Sequence, residues 1–225
     1  MSSPVNDNDD GKGVRKVAVL GGTFNPIHYG HLRVAEEVRE ALGLDRVIFI
    51  PAYQPPHKED GELIEPASRL EMIRMAISDN PTFEVSDVEI RRGGRSYTID
   101  TVKELKGLGL EPTIITGCDQ FNAISTWRSY EELFMLADFA VVPRPGSPVR
   151  GIAEVMPVEL AEKFWYDKKN NTYLNPSGHR VTYLRTVFLE ISSTDIRRRI
   201  REGMSVRYLL PQQVERYIME KGLYR

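Results

Sequence analysis

Apolar residues along the chain gather in short, nearly unbroken runs separated by stretches with a helical period. The first run, within "VRKVAVLGG" (14–22), is β-branched and closes on a glycine pair, the pattern of a buried parallel strand feeding a tight turn. After Gly30, Val34, Ala35, Val38, Ala41 and Leu42 recur at helical spacing, and Gly43 is a natural stop. "RVIFIP" (46–51) predicts a second strand. Strand, helix and strand in this order form a βαβ unit, which implies a parallel sheet.

The alternation continues downstream. "SRLE" (68–71) has capping-box spacing ahead of a helix to about Ser78, "FEVSDVEI" (83–90) has strand character, and Ile99, Val102 and Leu105 lie at helical spacing. "PTIITG" (112–117) and "ADFAVVPRPG" (137–146) read as strands ended by glycine and by prolines. Within residues 146–180 "PVELAEKF" is helix-like, whereas "WYDKKNNTYLNPSGHR" is polar and turn-rich without a clear period, and the stretch is read as an irregular insertion. "TVFLEISSTDIRRRIREG" then predicts a strand, a Ser/Thr-rich cap and a short helix stopped by Gly203, and "LLPQQVERYIMEKGLYR" a final helix opening at Pro211. The expected architecture is α/β: a doubly wound parallel sheet with helices on both faces and a small C-terminal helical segment. Such sheets bind ligands at the carboxyl ends of their strands.

Composition narrows this picture. At 225 residues the chain fits one domain, read here as 14–225 behind a polar, disordered tail over 1–13. Thirty basic against 32 acidic residues leave a net charge of −2, so no global field draws it to nucleic acid or to a membrane. A single cysteine, Cys118, excludes an internal disulfide. No apolar run approaches the roughly 18 residues of a membrane span, and the expectation is a cytoplasmic protein.

The candidate chemistry begins at "GGTFNPIHYGHL" (21–32), which lacks both the dinucleotide and the Walker glycine patterns. Gly21, Gly22 and Thr23 offer close-approach backbone, and His28 and His31 stand at a helix entry whose free N–H groups favour an anion. A phosphate suits that place. Metal ligation is the alternative for two histidines three apart, but no third ligand follows nearby and no HExxH glutamate lies between them. A capping and a packed histidine is the other alternative.

"GGTFNPIHYGHL" resembles the HxGH signature of the nucleotidyltransferase superfamily, and "ISSTDIR" (191–197) resembles its second signature. Between them stand "PPHK" (55–58), "RSYTIDTV" (95–102), "GCD" (117–119), "STW" (125–127) and "ADFAVVPRPG". This ordered set, over about residues 16–225, is similar to the bacterial nicotinate mononucleotide adenylyltransferases. The resemblance implies a Rossmann-like fold and transfer of AMP from ATP, with Mg²⁺ bound to the nucleotide, to nicotinate mononucleotide. The acceptor is already an ionised phosphate, so alignment and charge stabilisation suffice and no protein nucleophile is needed.

Residue by residue, the resemblance makes His28, His31 and Arg197 catalytic. It gives ATP Gly21, Gly22, Thr23, Phe24, Lys58, Asp119 and the segment Ile191, Ser192, Ser193 and Thr194. The mononucleotide receives Asn25, Tyr97, Thr98, Trp127 and Arg128, with no protein-held metal. Trp127 would stack on the pyridine ring, and core packing is its alternative. Lys58 is either a phosphate ligand or a loop lysine in water. Helical spacing sets Arg197 and Arg201 on one face, with Arg198 and Arg199 pointing elsewhere; Arg197 alone is given the β- and γ-phosphates, and Arg198, Arg199 and Arg201 are read as solvated. Asn25 stands where the family more often has aspartate. Arg128 stands where relatives can carry tyrosine, and pairs with the nicotinate carboxylate or faces solvent. The rival readings are an adenylyltransferase preferring nicotinamide mononucleotide or phosphopantetheine, and a noncatalytic nucleotide-binding module. The sequence leaves oligomeric state open.

Overall fold

The computed structural model describes residues 15–55, 63–144, 146–187 and 189–225. Eight strands form one sheet in the order β3-β2-β1-β4-β5-β8-β7-β6. They are β1 (Arg15–Gly22), β2 (Arg46–Pro51), β3 (Phe83–Val85), β4 (Leu110–Gly117), β5 (Asp138–Val142), β6 (Trp165–Asp167), β7 (Thr172–Leu174) and β8 (Arg180–Tyr183). Pairings from β3 across to β8 are parallel, and β6, β7 and β8 pair antiparallel. Because β1 connects outward to β2 while β4 lies on its other side, the strand order reverses between β1 and β4. That reversal opens a crevice at the carboxyl ends of these two strands.

The apolar runs are nearly continuous because both faces of the sheet are covered. Ala18, Val47, Phe49, Ile115, Ala140 and Val142 pack on one side with Ala35 and Val38 of α1 (Tyr29–Leu42), Met72 and Ile73 of α2 (Pro66–Ile77), Ile196 and Ile200, and Val214 and Ile218. Val17, Val19, Ile48 and Ile50 face the other way, against Val88 of α3 (Val88–Arg92) and Leu105 of α4 (Thr98–Gly107). Ile114, Phe139 and Val141 continue that second face onto α5 (Cys118–Phe121), α6 (Tyr130–Leu136) and α7 (Ile152–Val155). Then come α8 (Val158–Ala161), α9 (Ser193–Arg201) and α10 (Gln212–Lys221). Among the described residues no helix is long and apolar enough to cross a membrane.

Four local expectations change. The helix read as capped at Ser68 begins three residues earlier than that cap implies, at Pro66 with Glu65 as its N-cap; proline's fixed φ and missing N–H suit a first helical position. "FEVSDVEI" is a strand only to Val85. Ser86 Oγ then accepts from the Val88 N–H at 3.4 Å, turning the chain into α3. Residues 146–180, expected to be irregular, carry α7, α8 and the β6–β7 hairpin, whose three-residue strands are too short to show a period. The strand expected in "TVFLEI" is absent from its described residues; the Val187 N–H donates to Glu37 Oε2 of α1 at 2.6 Å in place of a sheet partner. The last parallel strand is "RVTY", a few residues earlier. The tail over 1–13 lies outside the described residues.

Candidate active site

The carboxyl end of β1 leads through residues 23–27 into α1, and this turn is tied down from several directions. Phe24 has φ 48, in the left-handed region that a bulky residue rarely adopts, and the Asn25–Pro26 peptide is cis. Phe24 is 2% exposed, so its ring belongs to the core and it can offer a nucleotide only backbone. The main-chain carbonyls point inward and are collected by distant side chains. Thr23 O accepts from Arg69 Nη1 at 2.8 Å, Asn25 O from Arg197 Nη1 at 2.9 Å, and Pro26 O from Ser193 Oγ at 2.9 Å. Gly21 is exposed, and an added Cβ there would meet nothing within 4 Å. Gly22 O accepts from the Ala52 N–H at 2.9 Å and holds β2's exit beside the turn.

His28 is the N-cap residue of α1 and is buried. Its ring folds over Gly30, where an added Cβ would stand 3.0 Å from both Cε1 and Nδ1. Glycine in the HxGH motif lets the His28 ring lie this close, and a side chain there would press on it. His31 stacks on His28 with ring centroids 3.7 Å apart, and its other neighbour is the Phe24 ring, edge-on at 5.1 Å. The His28 backbone N–H donates to His31 Nδ1 at 3.2 Å. In a neutral His31 this leaves the proton on Nε2, so that nitrogen is a donor. Burial, and then the nearby charge of Arg144, lower the His28 pKa from 6.5 to about 3. His28 is thus a neutral imidazole at physiological pH, and two stacked rings do not have to carry two charges.

The second signature meets the first across the turn. Ser192 caps α9, its Oγ accepting from the Asp195 N–H at 3.1 Å. Ser193 holds the Pro26 carbonyl, Thr194 Oγ1 is 3.5 Å from Arg197 Nη2, and Ile191 packs on the first core. Arg197 is 7% exposed and bound to the turn by its Asn25 contact, whereas Arg198 and Arg199 pair with Asp195 at the surface. The run therefore splits as the helical spacing predicts.

At the end of β4, Gly117 lets the Asp119 and Arg144 side chains lie against the backbone, where an added side chain would displace them. A Cβ would stand 2.4 Å from Asp119 Oδ1 and 3.2 Å from Arg144. Asp119 and Arg144 form a loose pair at 3.7 Å, and Arg144 leaves the end of β5 toward the crevice that His28 borders. Lys58 lies outside the described residues.

The other side of the crevice is built on α4 and the turn after α5. Tyr97 is the N-cap residue of α4 and Thr98 its first residue; the Asp100 N–H turns back to the Tyr97 carbonyl at 3.1 Å, and the Thr98 and Ile99 N–H groups precede the first intrahelical bond. Trp127 is half-buried against the second core, and its carbonyl accepts from the Tyr130 N–H at 3.2 Å. Arg128 reaches over the Tyr97 ring, its guanidinium carbon 4.8 Å from the centroid, and approaches Asp100 at 3.7 Å. It is thus engaged by side chains of this chain. Underneath, the buried Glu89 carboxylate accepts from Thr101 Oγ1 at 2.6 Å, and burial raises its pKa. The two sides are stitched together: the Tyr53 N–H donates to Ser96 Oγ at 2.9 Å, while Tyr53 O accepts from Arg69 Nη2 at 3.3 Å.

Sequence reasoning passes over three residues of this assembly. Arg69 is fully buried, and its signal is its phase: with Met72, Ile73 and Ala76 it occupies the apolar face of α2. Arg144 stands directly after an apolar strand, where strand ends supply ligand-facing groups. Tyr224, whose hydroxyl meets the Asn25 side chain, carries no sequence signal of its own.

Comparison with known proteins follows this geometry. The cytidylyltransferase-like family profile matches residues 19–199. A probable nicotinate-nucleotide adenylyltransferase of Citrifermentans bemidjiense is 52% identical over 211 residues, covering 93% of this chain and 98% of that protein. One of Geobacter sp. strain M21 is 51% identical with the same coverage. Among solved structures, the Plasmodium falciparum nicotinic acid mononucleotide adenylyltransferase complexed with NaAD superposes with a TM-score of 0.69 at 18% identity, covering 93% of this chain and 97% of that one, a likeness of fold. With its two signatures meeting at one turn and half of its residues shared over nearly the full length of these relatives, the chain belongs to the cytidylyltransferase-like family and, within it, to the nicotinate-nucleotide adenylyltransferases.

Proposed function

We propose that this chain transfers the AMP group of ATP to the phosphate of nicotinate mononucleotide, forming deamido-NAD and pyrophosphate in NAD biosynthesis. An oxygen of the mononucleotide phosphate attacks the α-phosphorus in line. As that bond forms, the bond to the β-phosphate oxygen breaks, and pyrophosphate leaves with the electron pair. The attacking oxygen is already ionised, so the protein's work is alignment and charge stabilisation.

The observation that carries the reading is the stacked histidine pair at the start of α1. His31 donates through Nε2, and His28 is a neutral, buried imidazole beside it. Donors fixed in place before reaction stabilise charge as it develops on the α-phosphate oxygens. Arg197, Lys58 and the N–H groups around Ser192 to Thr194 serve the β- and γ-phosphates, and Asp119 the nucleoside side. Trp127, Tyr97 and Thr98 receive the pyridine ring and its carboxylate. Arg144, at the rim of the same crevice, adds positive charge.

Mg²⁺ would come bound to the nucleotide and would offset negative charge on the pyrophosphate. The groups of this chain assigned to the phosphates, His31, Arg197 and the N–H groups around Ser192 to Thr194, are donors that would meet phosphate oxygens beside such an ion. The cytoplasmic setting read from the sequence belongs to this proposal.

Pyrophosphate release measured side by side with ATP and each mononucleotide tests it. The acid is expected to turn over faster than the amide. Equal or better turnover of the amide would overturn the acceptor assignment, and ATP binding without pyrophosphate from either would favour a noncatalytic module.

A further inference from the structure

Asn25, at the centre of the turn, is 4% exposed, and its side chain meets the segment that follows α10. The Tyr224 hydroxyl lies 2.9 Å from Asn25 Oδ1, a contact across 199 positions of sequence. The backbone is bent to make it. Helix α10 stops on Gly222 at φ 62, Leu223 N–H returns to the Ile218 carbonyl, and Tyr224 itself is held at φ 65. A tyrosine in the left-handed region is uncommon and persists only where its surroundings over-determine it. Here Leu223 and Tyr224 both pack against the first core.

The charges of Arg69 and Arg197 act on the phenol. They favour its lone pairs on their side and so direct its proton to Asn25 Oδ1. Burial raises the Tyr224 pKa against the pull of both guanidiniums, so the hydroxyl keeps its proton throughout the physiological range. Arg69, Arg197 and Ser193 fix the carbonyls of Thr23, Asn25 and Pro26. Those contacts hold the main chain, whereas the Tyr224 bond acts on the Asn25 carboxamide oxygen.

We propose that Tyr224 is a positioning residue for adenylyl transfer, holding Asn25, and through it the turn that leads into His28, in the geometry the phosphates meet. The role rests on the transfer reading given above. It assigns the segment after α10 to the site, although no motif marks it.

Full-length wild type, Tyr224→Phe, Asn25→Ala and the double variant, assayed for pyrophosphate release together with melting temperature, test the role. Tyr224→Phe keeps the ring in the core. It is expected to lower kcat about tenfold, the scale of one lost hydrogen bond, with KM for both substrates changed less than about twofold. In the Asn25→Ala background the same change should cost less than about twofold, because the partner is gone. Tyr183→Phe removes a hydroxyl that donates to the Arg150 carbonyl at 3.0 Å, away from the turn, and should leave kcat unchanged. An unaffected Tyr224→Phe overturns the role. So does an equal loss in the Asn25→Ala background, or a matching loss in Tyr183→Phe. Wild type that releases no pyrophosphate overturns the transfer reading and the role together, which separates the two failures.

Discussion

Around the turn from Gly21 to His31, polar groups are buried and tied to parts of the chain far away in sequence, whereas the side built on Tyr97, Trp127 and Arg128 is held by half-exposed and surface contacts. Arg69 comes from α2, Ser193 and Arg197 from α9 and Tyr224 from beyond α10, and all four converge on residues 23–26. Opposite them, Arg128 rests on Tyr97 and near Asp100 with 58% of its side chain exposed. The difference matches what the proposed function asks of each side. Stabilising charge in a transition state needs donors that do not reorganise, whereas receiving a flat ring needs a platform that tolerates some movement.

Substitutions on the two sides should therefore differ in kind as well as in size. His28→Ala removes a preorganised group and should lower kcat by about 10² to 10³, with KM for the mononucleotide little changed, as measured by steady-state pyrophosphate release. A near-normal kcat would show that the buried side does not act in the transition state.

The same histidine gives the next largest effect, in stability. Its pKa falls from 6.5 to about 3 on folding, so below pH 6.5 the unfolded chain takes up a proton that the folded chain refuses. The stability associated with a neutral His28 is complete above that pH and drains away as pH falls toward 3. By about pH 4.5 the loss should reach about 2 to 3 kcal/mol. Denaturant titrations of wild type and His28→Gln across this range should show the gap between them shifting by that amount; parallel curves would show that His28 takes up protons in the fold.

On the open side the losses should be smaller and appear in binding. Trp127→Ala should raise KM for the mononucleotide about tenfold with kcat held within a small factor, the scale of one lost aromatic platform. Arg128→Ala should change KM by about threefold or less and stability by under about 0.5 kcal/mol, since both its contacts are at the surface. A tenfold rise in KM for Arg128→Ala would instead give it the nicotinate carboxylate and erase the contrast.

How legible each side was in the sequence follows the same division. The histidines, Gly30 and the Ser192 cap stand in contiguous motifs because they act over one or two turns of local structure. Arg69 shows itself only as a charge at an apolar helical phase, and Tyr224 not at all, since its partner lies 199 positions away. The strand expected in "TVFLEI" failed for a related reason: β-propensity cannot foresee that Val187 donates to a glutamate on α1.

The sequence by itself determined the alternation of buried strands and amphipathic helices, the parallel sheet that follows from it, and the motif residues to which the proposed function assigns the phosphates. Periodicity, turn chemistry and capping act between neighbours, and neighbours are what a sequence displays. Only the tertiary structure decided which groups hold the turn from behind, how closely the His28 ring lies over Gly30, and why His28 stays neutral. Burial and long-range hydrogen bonds depend on which surfaces meet, and that is set when α2, α9 and the segment after α10 close around the end of β1.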